Sequence, residues 1–221
     1  MFTNPEKITE SSDTFTDKEL VKAPETFPVA QEESKPQMSP AYTSALLSIT
    51  STPLFTDEQC KSIVDMCIDE IWSSVKVTGS FKLQSASTQR IRGALTDFPF
   101  TSLKDAIVTA NNQFYNLDLL GIIDNDYPQI VRYNKGDFYK MHAEINPIMT
   151  TRKLSFLITL SAPEDYVGGE IEFLNTELDY ETINKPGTMI VFPSFLPFSI
   201  KPIKKGKKFF ATGSIHGNSF R

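Results

Sequence analysis

VRYNKGDFYKMHAE, residues 131–144, is the stretch on which the reading of this chain turns. Val131 and Tyr133 precede the turn signal Asn134-Lys135-Gly136, and Phe138, Tyr139 and Met141 follow it. β-Branched and aromatic residues on both sides of such a turn predict two strands, at about 129–134 and 139–145. Successive side chains on a strand point to opposite faces, so His142 and Glu144, two residues apart, share one face. An imidazole and a carboxylate on one face can chelate one ion. A second histidine from a distant strand would complete a two-His-one-carboxylate facial triad, the donor set suited to non-haem Fe(II). The chain offers only one other histidine, His216.

Working outward, short β-type segments continue to the C-terminus. They are expected at 117–123, 152–161, 170–174, 180–184, 188–192, 198–203 and 208–216. Gly168-Gly169, Pro186-Gly187 and Lys205-Gly206 punctuate them. Many short strands at this spacing predict a sandwich, barrel or jelly roll. Upstream, Thr56-Asp57-Glu58-Gln59 fits a capping box. Cys60, Ile63, Val64, Cys67, Ile68, Ile71, Trp72 and Val75 follow with the three-four spacing of an amphipathic helix. A second helix is expected over 102–115, with Leu103, Ile107, Ala110 and Phe114 on one face. Shorter alternating segments lie at 77–83 and 90–95.

The first 45 residues read differently. Residues 1–40 hold five prolines, eight acidic residues and four lysines, a charge of −4 out of the chain's −5. Such a segment cannot bury enough apolar surface to offset its ordering entropy. Residues 1–45 are therefore expected to be a flexible acidic arm, with a docking arm for a protein partner as the alternative, and residues 46–221 a folded domain. With 40% hydrophobic residues and 17 phenylalanines among 221, that domain can build a full core. A pI near 5.2 argues against a nucleic-acid or anionic-membrane surface. No run of 18 apolar residues suggests a membrane span, and the N-terminus lacks the basic and apolar regions of a signal peptide. The expected location is cytoplasmic or virion-associated. Cys60 and Cys67 sit two helical turns apart, too far to bridge within one helix, and read as core thiols in a reducing compartment.

Several blocks resemble, in the right order, the prolyl-4-hydroxylase-like branch of the 2-oxoglutarate/Fe(II) oxygenases, with small bacterial and phage members nearest. They are residues 131–144, "TRKLSFLITLSAPEDYVGGEIEFL" (151–174), "KPGTMIVFPSFLPFSIKPIKKGKKFFATGSIHG" (185–217) and the closing "FR". The upstream "ANNQFYNLDLLGI" (110–122) is similar to the family's helix-to-strand lead-in. The resemblance implies a mainly β double-stranded β-helix, or jelly roll, with two N-terminal supporting helices. It implies Fe(II) and 2-oxoglutarate as cofactors if the domain is active, and none if it is not.

Carried over residue by residue, His142 matches the proximal iron histidine and Glu144 the carboxylate, more often Asp in this family. The distal histidine's position, shortly after "FPS", is Phe198, which has no lone pair for a metal. His216 matches a histidine of the family's terminal "HG" that is not the iron ligand. Lys208 matches the residue that binds the distal carboxylate of 2-oxoglutarate, and Tyr133 a tyrosine that helps hold it. Of Lys204, Lys205, Lys207 and Lys208, only Lys208 is expected to point inward. Phe195, Phe198, Phe209 and Phe210 read as core, with Phe198 filling the metal cavity. Gly168-Gly169 lacks the frame of a phosphate loop and reads as a turn. No Cys or Ser has a base partner for nucleophilic catalysis.

Three functions follow. The first is a catalytically degenerate oxygenase-like domain used as a binding or structural module, such as a phage virion component docked through residues 1–45. The second is an active hydroxylase of a peptide or other biopolymer, which needs a further ligand. The third is a 2-oxoglutarate binder without turnover.

Overall fold

The computed structural model describes residues 38–41, 44–68, 71–74, 83–91 and 96–219. The first half contributes β1 (Met38–Ala41), β2 (Ser44–Thr50), α1 (Asp57–Ile68), β3 (Ser73–Ser74), β4 (Gln84–Ser85), β5 (Ser87–Arg90) and α2 (Phe100–Ala110). The second half contributes β6 (Gln129–Asn134), β7 (Phe138–His142), β8 (Arg152–Thr159), β9 (Tyr166–Gly168), β10 (Ile171–Phe173) and α3 (Tyr180–Ile183). It ends with β11 (Met189–Pro193), β12 (Phe198–Ile200) and β13 (Ile203–His216). The larger sheet runs β1-β2-β11-β8-β13-β6-β5-β3, with β9 paired to β13; the smaller runs β10-β12-β7-β4. All pairings are antiparallel. The fold is a mainly β jelly roll with two supporting helices.

Strand alternation divides the core into two layers. Ile130, Leu154, Phe156, Ile158 and Ala211 face outward from the larger sheet and pack with Cys60, Ile63 and Cys67 of α1 and Leu103, Ala106 and Ile107 of α2. Val131, Tyr133, Leu157, Phe192 and Phe210 face inward and meet Ile171, Phe173, Phe198 and Ile200 of the smaller sheet. β8 is covered on both faces, so its residues are buried almost continuously rather than alternately, Ser155 and Thr159 included. The capping box forms at the start of α1: the Thr56 amide donates to Gln59 Oε1 at 2.9 Å, and the Gln59 amide to Thr56 Oγ1 at 3.3 Å. Both cysteines are buried free thiols, and burial pushes Cys60 up to about 12. Among the described residues no helix is long and apolar enough to cross a membrane.

The sequence reading needs several corrections. β1 and the start of β2 belong to the larger sheet, so ordered structure begins before residue 45; the rest of the expected arm, residues 1–37, lies outside the described residues. α1 ends at Ile68, and Trp72 instead packs beside Phe209 with ring centroids 6.1 Å apart. Residues 180–184 are not a strand. Asp179 accepts the Glu181 amide at 3.0 Å and caps the short helix α3, a capping preference that overrides the apparent alternation. Residues 117–123 form only an isolated bridge, Gly121 to His216. Asn116, at φ 48°, turns the chain out of the preceding helix and breaks strand geometry there. Phe195 is half exposed rather than core. Most of 77–83 and 90–95 lies outside the described residues.

Candidate functional site

β7 delivers His142 to the end of the barrel, and β12 brings Phe198 directly opposite it in register. The Phe198 ring centroid lies 4.6 Å from that of His142 and 5.2 Å from that of Phe192, and Phe198 is 1% exposed. The His142 ring stacks on Tyr139 at 3.5 Å. Its Nδ1 sits 2.7 Å from the Lys140 carbonyl oxygen, an acceptor, so Nδ1 carries the proton. Its Nε2 faces Glu144 Oε1 at 3.2 Å. With Nδ1 as the donor, Nε2 bonds this carboxylate only when the ring is an imidazolium; as a lone pair it lies beside the carboxylate as two adjacent ligands of one ion would.

The carboxylate is already engaged on its other side. Arg152, the first residue of β8, donates from Nη1 to Glu144 Oε2 at 2.8 Å and to the Glu144 carbonyl at 2.9 Å. The rest of its guanidinium grips Asp126 in a fork, Nε to Oδ2 at 2.6 Å and Nη2 to Oδ1 at 2.7 Å. Asp126 Oδ2 also meets His216 Nε2 at 3.0 Å, and His216 Nδ1 meets Thr151 Oγ1 at 2.8 Å. A continuous polar chain thus runs His142–Glu144–Arg152–Asp126–His216–Thr151. Burial opposes ionisation of Asp126, but hydrogen bonds from His216 and Arg152 outweigh it and hold the carboxyl below its ordinary range. For Arg152, burial is outweighed by Asp126 and Glu144, which hold the guanidinium charged.

Tyr133 and Lys208 are direct cross-strand partners on β6 and β13, and both are fully buried. The Tyr133 hydroxyl accepts from Gln84 Nε2 at 2.9 Å, and burial pushes its phenol far above the ordinary range. Lys208 Nζ donates to the Gly169 carbonyl at 3.0 Å and to Asn184 Oδ1 at 3.1 Å. It lies over the rings of Tyr166 and Phe210, at 4.3 and 4.8 Å from their centroids. Among the described residues no carboxylate comes within ion-pair distance of it. Burial pulls Lys208 down to about 7, with Glu170 acting weakly the other way. Lys204, Lys205 and Lys207 all face solvent, as expected.

Gln84, Tyr133, Tyr139, Glu144 and Phe198 line a cavity of about 30 Å³ between the sheets. That is room for a water or two, not for a dicarboxylate. The structure brings Tyr133, Glu144 and Phe198 to this cavity with His142 beside it. Lys208 lies outside the lining, and His216 is held at the far end of the polar chain. Among the described residues no three His, Cys, Asp or Glu side chains converge on one point. Among the described residues, His142 and Glu144 thus come together as two donors of the kind a facial triad uses, with no third beside them. Asp126, Arg152, Gln84 and Asn184 were not anticipated. None has a motif signal, because each reaches the site from a separate segment.

Residues 128–216 match the family model described as the 2OG-Fe(II) oxygenase superfamily. Over 95 residues the chain is 35% identical to a PKHD-type hydroxylase of Hyphomonas neptunium, covering 40% of this chain and 42% of that one. Over 167 residues it is 23% identical to a PKHD-type hydroxylase of Saccharophagus degradans, covering 70% and 72%. The chain thus spans about two fifths of the length of the first of these relatives. A crystal structure of a Pseudomonas putida prolyl-4-hydroxylase superimposes with a TM-score of 0.61 at 16% identity, covering 79% of this chain and 94% of that one. The viral collagen prolyl hydroxylase of Paramecium Bursaria Chlorella virus-1, in its 2OG complex, does so at 0.56 and 19% identity, covering 78% and 97%. The chain carries a 2OG-Fe(II) oxygenase-like domain whose fold is that of the prolyl-4-hydroxylases.

Proposed function

We propose that this oxygenase-like domain has lost Fe(II)/2-oxoglutarate turnover and works as a binding or structural module. One observation carries the proposal: Phe198, in register with His142 and fully buried, occupies the place from which a third ligand would come. Each lost imidazole removes a strong donor from the metal. The engagement of Glu144 by Arg152 and the small cavity support the same reading. Docking to a protein partner, such as a virion assembly, through the N-terminal segment is part of this proposal. Its test is removal of residues 1–37, which spares β1 and β2; a truncated protein that still joins its assembly ends that part.

A second reading is an active hydroxylase. The hydroxylase names of the relatives favour it, as does the 3.2 Å approach of His142 to Glu144. Bound 2-oxoglutarate without turnover has less support, since Lys208 is spent on Gly169 and Asn184. Anaerobic calorimetric titration with Fe(II), with and without 2-oxoglutarate, separates the three. The proposal expects flat titrations for both. Tight Fe(II) binding lost in His142→Ala supports the second reading, and 2-oxoglutarate binding lost in Lys208→Ala supports the third.

A further inference from the structure

An open groove of about 840 Å³ runs along the outer side of the smaller sheet and the 174–178 loop, away from the cavity that holds Glu144. Its apolar surface comes from Met141, Leu174, Leu178 and Tyr180. Leu174 is 48% exposed, Met141 44% and Tyr180 39%. Water-facing apolar side chains gathered in one cleft of this size mark an interaction surface. The walls are acidic. Glu172 and Glu177 line the groove, and Glu170, Asp179 and Glu181 belong to the same stretch of chain. Lys201 pairs with Glu172 at 2.8 Å on one wall.

β10 lies at the end of its sheet, but its free edge is closed. The Tyr180 hydroxyl donates to the Ile171 carbonyl at 2.9 Å, and the Thr176 amide to the Phe173 carbonyl at 3.3 Å. A partner therefore cannot add a strand here and must offer side chains. The matching chemistry is basic with an apolar centre. This chain presents it at the start of β13. Lys204, Lys205 and Lys207 are exposed there with no carboxylate in ion-pair distance among the described residues. Val167 of β9, 51% exposed, lies opposite Lys205 in register. Glu164 and Asp165 of the preceding turn offset part of this charge and leave the patch net positive.

We propose that a second copy of this chain covers the groove, with the Lys204–Lys207 patch and Val167 of one copy seated on the acidic, apolar-floored groove of the other. β9 and β10 are separated only by Gly169 and Glu170, so patch and groove are neighbours on one molecule. A two-fold partner engages both at once, and the assembly closes as a dimer. The charges select the partner and set its salt dependence. The acidic N-terminal segment, residues 1–40 with a charge of −4, is the wrong sign for this groove. The inference is independent of whether the domain binds metal.

Sedimentation velocity of the full chain, from about 1 to about 100 μM in low and high salt, tests it. A dimer that dissociates as salt rises is the expected result. Leu174→Asp should weaken it at least about tenfold. Two charge-reversed variants, Lys204→Glu/Lys205→Glu and Glu172→Lys/Glu177→Lys, should each be monomeric with unchanged circular dichroism. Mixed in equal amounts, they should pair with each other, because both contacts are again complementary. A monomer at every concentration, a dimer that survives both reversals, or a mixture that stays monomeric would each overturn the proposal.

Discussion

The proposed function turns on one residue, Phe198. Its side chain packs among His142, Phe192 and Phe173 with no polar atom to offer. Full burial of a phenylalanine contributes about 2–3 kcal/mol, so this residue stabilises the barrel, and on the proposed reading it does so at the place of a metal-binding histidine. Phe198→His should therefore cost stability and restore a third donor opposite His142. Cobalt(II) titration followed by visible absorption should show a saturable site in Phe198→His and none in the parent; equal spectra in both would contradict this. Lys208 makes a second residue-scale prediction. Its folded-state value, about 7, lies far below the ordinary value near 10.5. Below pH 7 the fold must bury an ammonium, and the penalty is fully present. As pH rises from 7 toward 9, the unfolded chain still holds the proton and the folded one does not, so stability rises, by about 1–3 kcal/mol over that window. Urea unfolding of Lys208→Met should show a flatter dependence over the same window. An unchanged slope would mean that Lys208 stays charged in the fold.

At the scale of elements, the polar chain ties together the turn at Asp124–Asp126, the start of β8, the end of β7 and the end of β13. Arg152 is its hub, gripping two carboxylates. Arg152→Met leaves Asp126 and Glu144 facing each other partly desolvated and should cost about 3 kcal/mol, read as a lower urea midpoint. Loss under 0.5 kcal/mol or so would show that the pairs are solvent-screened. Asp126, held below its ordinary value, contributes stability that is present above the unfolded carboxyl value and is lost as pH falls through the folded one. Asp126→Asn should therefore lose part of the acid sensitivity.

The sequence displayed some of these elements and hid others. β6 and β7 were legible because alternation and a glycine turn are local signals, and α1 because its cap and its apolar spacing agree. α3 was misread because one Asp179 cap outweighs four residues of strand-like composition. The pairing of His142 with Glu144 is a two-residue spacing and could be read directly. The links from Glu144 to Arg152, Asp126 and His216 span segments up to 90 residues apart and follow only from the closed barrel. The closing of the cavity around Phe198 needed the β7–β12 register.

At the scale of the molecule, a jelly roll supported by two helices encloses the cavity lined by Tyr133, Glu144 and Phe198. On the proposed reading no metal holds the two sheets together, so EDTA should leave the melting temperature unchanged within about 1 °C, whereas a fall of several degrees would reveal a structural metal. The most direct test of the central claim is succinate release by the full chain supplied with Fe(II), ascorbate and 2-oxoglutarate. With Phe198 in place of a third ligand, release should not exceed the protein-free blank. Release above it that His142→Ala abolishes would contradict the account and make this domain a working oxygenase.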